Sequence, residues 1–335
     1  MKNNILFFIL FFIATTVSAQ SDSVKTYIDS ALFVLKENSL YSKNVNWKKV
    51  EGQIYQKAKE ARSKTQAFEI LKIAFIALGD KHANYFSPEG TSFRLDNPTL
   101  LARYSDSLKA GWKRGLRIDN RIIDGIAYIS IPTLGAGKQQ DIDKYANWIY
   151  DAVNNLNKKN PKGWIIDLRM NGGGNIRPML AGLSMFFDDG IYTYYVDRNG
   201  KATDKAGFTN GDFVIDDKPQ AEIKMKMNPL SNVKVAVLIG PGTASSGEGV
   251  ALVFSQKSNT RSFGTNTAGL ANATNGFVFH NKEFYFLLSV ARIADKHKKI
   301  YRETVRPDKY VDDSENFSDL SNDPCVKEAI RWLNR

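Results

Sequence analysis

Two adjacent serines, Ser245 and Ser246, sit in the stretch Gly240-Pro241-Gly242-Thr243-Ala244-Ser245-Ser246-Gly247-Glu248, where a side-chain hydroxyl could attack a carbonyl. The apolar run 233–239 feeds into this stretch and reads as a buried parallel strand, and the residues from Gly249 onward carry helical spacing. A strand, a turn with glycines and then serines at a helix N-terminus can present a nucleophile. First-turn N–H groups have no intrahelical partner, and the helix dipole is positive there, so a developing oxyanion is stabilised. The same Ser245-x-x-Glu248 spacing is also a capping box, an ordinary way to start a helix.

A serine nucleophile needs a base, and the chain has three histidines. His82 stands just beyond the end of an apolar helical segment, in the polar turn Gly79-Asp80-Lys81-His82-Ala83-Asn84. His280 precedes Asn281-Lys282 in what reads as a hairpin turn, and His297 lies in the charged run 295–299, a solvated turn. Elimination leaves His82 as the candidate base. A second turn, Asp167-Leu168-Arg169-Met170-Asn171-Gly172-Gly173-Gly174-Asn175, follows the strand-like run 164–168. Its glycines let backbone approach a ligand closely, but it lacks the lysine and spacing of a phosphate-binding loop and the dinucleotide fingerprint. With one cysteine and scattered histidines there is no basis for a zinc site or an internal disulfide, and no cofactor is expected. Cys325 reads as buried filler in a C-terminal helix.

The elements that must position these residues change character along the chain. From about 21 to 79 the pattern is helical, with Val24, Ile28, Leu32 and Leu35, then Trp47, Val50, Ile54 and Ala58, then Phe68, Leu71, Phe75 and Leu78. Thr65 is the expected N-cap and Gly79 the expected C-cap of the third helix. Residues 97–115 read as a connector. Beyond it, strands at 126–131, 164–168 and 233–239 alternate with helical patterns at 141–156, 178–187 and after Ser245, which predicts an α/β core with a largely parallel sheet. A long strand-like run, 284–293, precedes Tyr301-Arg302-Glu303-Thr304-Val305-Arg306-Pro307-Asp308.

Composition sets the class. Hydrophobic residues at 43% and aromatics at 12% of 335 residues fit a globular chain and exclude a disordered one. Lys2, the apolar run 5–14 and Val17-Ser18-Ala19 predict a secretory signal peptide over residues 1–19, with periplasmic or extracellular delivery. No other run approaches a membrane span. The formal charge of +11 is spread along the chain without a basic arm or an RNA-binding signature, so no nucleic-acid partner is expected.

These segments together resemble the tail-specific, or C-terminal-processing, serine protease family. The likeness rests on Asp167-Leu-Arg-x-Asn171-x-Gly173-Gly174, on Thr243-Ala-Ser245-x-x-Glu248, and on Arg306-Pro307-Asp308. It implies a helical N-terminal subdomain over 20–114 carrying the histidine, and an α/β core of crotonase/ClpP-like type over 115–335. One branch of the family uses a lysine base in the turn 264–272, but Leu270 stands at that position here. The other, tricorn-core-like branch takes a histidine from the helical subdomain and a glutamate before the terminal Pro-Asp. The resemblance therefore implies Ser245 as nucleophile, His82 as base and Glu303 as its partner, with Gly173 and Ser246 supplying oxyanion-hole N–H groups. A Glu303 carboxylate beside His82 would raise its pKa. The residues flanking His82, Lys81 and Ala83, cannot act as the serine relay found in that branch. The interval between His82 and the first core strand is too short for a PDZ domain. The implied activity is that of an exported serine endopeptidase acting on peptide or unfolded protein substrates. The alternative is a non-catalytic binding module for apolar ligands or proteins on the same scaffold, which retinoid-binding relatives exemplify.

Overall fold

The computed structural model describes residues 18–87, 89–115, 118–280, 282, 284–311 and 315–335. The expected signal peptide lies outside the described residues, apart from Ser18 and Ala19 at the start of the first helix.

Three helices come first: α1 (Ser18–Asn38), α2 (Trp47–Ala58) and α3 (Lys64–Leu78). Ser63 caps α3 by accepting the Gln66 N–H, two residues ahead of the expected Thr65. Gly79 ends the helix in the left-handed region, at φ 67°, as expected. The apolar faces of these helices, with Tyr27, Ile28, Leu35, Phe68, Leu71 and Phe75, do not close on one another alone. They bury Phe279, Phe284, Phe286 and Leu288 from the distant end of the chain. Strands β1 (Asn84–Phe86) and β2 (Ser92–Phe93) follow, then two short helices, α4 (Pro98–Leu101) and α5 (Asp106–Lys113), in the segment read as a connector.

Strands at 126–130, 164–167 and 235–239 alternate with helices as the sequence pattern predicts, but four consecutive strands that were not foreseen interrupt the alternation. In order come β3 (Asp119–Ile123), β4 (Ile126–Ser130), α6 (Gln139–Asn157), β5 (Trp164–Asp167) and α7 (Ile176–Gly182). Then come β6 (Gly190–Val196), β7 (Ala202–Thr209), β8 (Asp212–Ile215), β9 (Lys218–Pro219), β10 (Val235–Ile239) and α8 (Ser246–Phe254). The chain closes with β11 (Thr260–Gly264), β12 (Asn272–Phe279), β13 (Phe284–Asp295), β14 (Lys309–Tyr310) and α9 (Pro324–Leu333).

One six-stranded sheet runs β14-β11-β10-β5-β4-β3 and is parallel except for the β3–β4 hairpin. Its central strands β4, β5 and β10 are buried along their length because helices cover both faces. Residues of α6, α7 and α8 pack on one side, and Cys325, Val326 and Ala329 of α9 on the other. Cys325 is buried, and burial pushes its thiol up to about 12, which leaves it inert.

A second, eight-stranded antiparallel sheet runs β2-β1-β13-β6-β7-β8-β9, with β12 paired to β13. Only its β12–β13 hairpin was foreseen. Its other strands are short and mostly half-buried, so their alternation is weak, and their pairings span long sequence separations. The polar wall of the β12–β13 hairpin lies beside the nucleophile turn, and its apolar face carries the N-terminal helices. That single element brings the two ends of the site together.

Candidate active site

The nucleophile turn is positioned by strand register. In the β5–β10 pair, Leu238 lies opposite Asp167, so both strands end together and their following turns lie side by side. Thr243 Oγ1 donates to the Leu168 carbonyl at 2.9 Å and the Ala244 N–H to the Asn171 carbonyl at 2.9 Å, which staple one turn to the other. Ser245 then takes φ 54° and ψ −119°, a conformation costly for any residue with a Cβ. Such strain is what a strand-to-helix elbow uses to push a hydroxyl outward. Gly173, at φ 106°, lies directly against it: a Cβ there would stand 2.7 Å from Ser245 Cβ and 3.1 Å from its Oγ. Only glycine permits that approach.

The charged residues of the Asp167–Arg169 motif are structural. Arg169 is buried, and its guanidinium bonds Asp167 and both oxygens of Asp323, the N-cap of α9. Tyr128 Oη donates to Asp167 at 2.8 Å. This network pins the base of the turn to the C-terminal helix.

Glu248 realises the capping reading and extends it. Its carboxylate is fully buried and accepts from the Ser245 N–H at 2.8 Å, Thr267 Oγ1 at 2.5 Å, the Gly269 N–H at 2.9 Å and the Leu270 N–H at 2.9 Å. Burial pushes its pKa up to about 7 against these four bonds, each of which favours the ionised form. The loop that would carry a lysine base in the other branch is thus a buttress for Ser245. Leu270 contributes a backbone donor there and packs beside Leu100, Ala244 and Ala268. Ser246 Oγ donates to the Gly174 carbonyl at 2.7 Å, across the two turns. The Gly173 N–H, expected to face an oxyanion, donates to Asn171 Oδ1 at 3.0 Å in this resting structure.

His82 reaches the site from the turn after α3. Asp80, buried, accepts the His82 N–H at 3.0 Å, the Ser289 hydroxyl at 3.0 Å and the Ser289 N–H at 3.1 Å, which fixes that turn to β13. The ring's Nδ1 is buried without a hydrogen-bond partner. Burial lowers the imidazole pKa below its ordinary value, although Asp80 and Glu303 both pull it upward. Glu303 acts in the expected direction, but the net shift is downward, because desolvation of the charged ring outweighs both carboxylates.

Glu303 is held from elsewhere. Its Oε1 accepts Tyr41 Oη at 2.6 Å and Asn272 Nδ2 at 3.1 Å, and Asn272 also donates to Tyr41 Oη at 2.7 Å. His82, Glu303, Tyr41 and Asn272 line one cavity of about 390 Å³. Ser245 and Ser246 line a neighbouring cleft of about 1000 Å³ that shares Asn272 with it. Among the described residues no hydrogen bond joins His82 to Ser245 or to Glu303. The structure thus places Ser245, Ser246 and Gly173 together on the two turns, and His82 with Glu303 behind the shared Asn272 wall. The other two histidines line neither cavity. His280 packs edge-on against Tyr27 at the hairpin tip, and His297 is exposed.

Sequence reasoning missed Tyr41, Asn272 and Asp80. Asp80 sits next to a predicted helix stop and two residues before the candidate base, a spacing that could have flagged it. Nothing in the sequence pairs Tyr41 with Asn272 or Glu303.

Comparison with known proteins adds an independent line. Residues 125–311, more than half of the chain, match the description of peptidase family S41. The nisin-resistance protein of Lactococcus lactis subsp. lactis is 24% identical over 313 residues, covering 93% of this chain and 87% of that protein. A solved lipoprotein from Streptococcus agalactiae superposes with a TM-score of 0.69 at 21% identity, covering 97% and 99% of the two chains. The photosystem II D1 C-terminal processing protease superposes at 0.60 with 14% identity, covering 93% and 98%. Both solved structures share the fold.

Proposed function

The chain belongs to peptidase family S41, and from that premise we propose that it is an exported serine peptidase that cuts peptide chains through an acyl-enzyme on Ser245. The observation that carries the reading is the strained Ser245 elbow, seated on Gly173 and lining a cleft of about 1000 Å³. The wall of that cleft includes β12, which pairs only with β13 among the described residues, so an extended substrate can lie along its open edge.

In this mechanism His82 removes the Ser245 proton as the hydroxyl attacks the scissile carbonyl, then returns it to the leaving amine. The lowered pKa keeps the imidazole neutral at physiological pH, as a base must be. Glu303, fixed by Tyr41 and Asn272, offsets the charge that His82 acquires. The Ser246 and Gly173 N–H groups receive the oxyanion, and the Gly173 donor leaves Asn171 Oδ1 as charge develops. Catalytic contacts that are long in a free enzyme tighten when substrate binds, which is the closure required between His82 and Ser245. The expected signal peptide and the solved lipoprotein relative support export. No helix among the described residues is long and apolar enough to cross a membrane. The name of the lactococcal relative makes nisin the first peptide to assay.

A second reading has its own support. The engaged Gly173 N–H and the missing His82–Ser245 bond also suit a protein that holds peptides without cutting them. Labelling with a fluorophosphonate probe separates the two. Wild-type protein should label and the Ser245→Ala variant should not; absence of labelling together with saturable peptide binding would establish the non-catalytic reading.

A further inference from the structure

The cleft beside Ser245 is lined mostly by backbone, small residues and apolar side chains. Among its described lining residues there is one cation, Arg177, and one anion, Asp204. Arg177 stands on the first turn of α7, three residues beyond Gly174, whose carbonyl accepts from Ser246. It is therefore on the wall that begins at the nucleophile turn.

Its guanidinium is held but not neutralised. Nη2 donates to Gln139 Oε1 at 2.9 Å and to the Gln220 carbonyl at 3.5 Å. Nε is buried and has no hydrogen-bond partner. Asp143, the carboxylate that shares Gln139 with it, accepts at Oδ1 from Gln139 Nε2 at 2.9 Å and from the Glu222 N–H at 2.9 Å. Gln139 thus orients the arginine through a neutral amide and leaves its charge free. No ion pair joins Arg177 to a carboxylate among the described residues. A half-buried arginine with a fixed fork, an unmet donor and no counter-ion is built for a planar anion that arrives from outside.

We infer that Arg177 is a specificity-determining residue that binds a carboxylate of the peptide lying in the cleft, either an Asp or Glu side chain or the chain's own C-terminus. The inference rests on the peptidase reading for its substrate, and it assigns the substrate class that the cleft prefers. Asp204 on the opposing sheet opposes the same carboxylate and limits the preference.

The test is one host peptide carrying Glu or Gln at each position in turn, made both as the free acid and as the C-terminal amide. Wild-type kcat/KM should be about tenfold to hundredfold higher for the acidic member of one pair, the span of a charge-assisted hydrogen bond. The pair that shows it tells a side-chain carboxylate from a terminal one. In Arg177→Gln that ratio should fall to about one, in Arg177→Lys it should survive in part, and in Asp204→Asn it should rise. The same pairs are measured by fluorescence anisotropy against Ser245→Ala and Ser245→Ala/Arg177→Gln, so binding is scored even if nothing is cut. Wild-type ratios near one for every pair overturn the inference, as does a ratio that persists in Arg177→Gln, while the peptidase reading stands. Acid-selective binding to Ser245→Ala without turnover by wild type sustains the inference and removes the peptidase reading.

Discussion

The two halves of the candidate site are built differently. Around Ser245 every support is a short bond between neighbouring turns or to one buried carboxylate: Thr243 to Leu168, Ala244 to Asn171, Ser246 to Gly174 and Ser245 to Glu248. Adjacent parallel strands dictate that arrangement. The His82 half is assembled from four distant pieces of chain, which contribute Tyr41, His82, Asn272 and Glu303 around one cavity. The proposed nucleophile is braced by local bonds, whereas the proposed base is held by long-range packing. Under the proposed mechanism the first half keeps its geometry without substrate, whereas the second completes its contact when the cleft fills.

The sharpest way to break this contrast is at the nucleophile. Ser245→Ala should reduce peptide hydrolysis at least about a thousandfold, since the acyl-enzyme cannot form. Its melting temperature should stay close to wild type, because φ 54° is strained for alanine as it is for serine. Ser246→Ala, which loses only the hydroxyl bond to Gly174, should retain most activity. A dead Ser246→Ala enzyme beside an active Ser245→Ala enzyme would move the nucleophile by one residue.

His82→Ala should be nearly as damaging, and the double variant no worse than either single one, because the two groups act as a unit. The base must be neutral, and burial lowers its folded pKa, so kcat/KM should stay flat through neutrality and fall only below the ordinary histidine value of about 6.5. A limb above pH 7 would mean that Glu303 governs the ring after all.

Glu248→Gln tests the rigid half from beneath. The amide has one acceptor oxygen for four donors, so buried N–H groups lose partners and stability should drop by about 1–3 kcal/mol in urea titrations, with activity falling in step. The folded pKa of about 7 lies above the unfolded carboxyl value. Its protonation therefore adds stability that is fully present below the unfolded value and lost as pH rises through about 7. The wild-type advantage over Glu248→Gln should shrink across that window. An advantage that instead grows toward pH 8 would show that the four donors, not burial, dominate.

In the His82 half, a smaller effect is expected at Tyr41→Phe. It removes a single hydroxyl donor from Glu303 while Asn272 remains, so kcat/KM should fall by about threefold to tenfold, the size of one ordinary hydrogen bond. A loss as large as that of His82→Ala would make the second half as tightly determined as the first.

How much was legible in the sequence follows the same division. The 233–239 run, the glycine turn at 172–174 and the Ser245-x-x-Glu248 spacing are local signals, and local hydrogen bonding turns each of them into structure. Parallel strands buried on both faces leave continuous apolar runs, so the α/β core could be read directly. The helices could be read from their periodicity, and the end of α3 from Gly79. What those helices rest on could not, because Phe284, Phe286 and Leu288 lie some two hundred residues away along the chain. The antiparallel sheet, the Tyr41–Asn272–Glu303 group and the uncompensated Arg177 were decided only by the tertiary structure. So was the direction of the His82 pKa. A neighbouring carboxylate can be guessed from a motif, but burial is a property of the packed surroundings, and here burial is the larger effect.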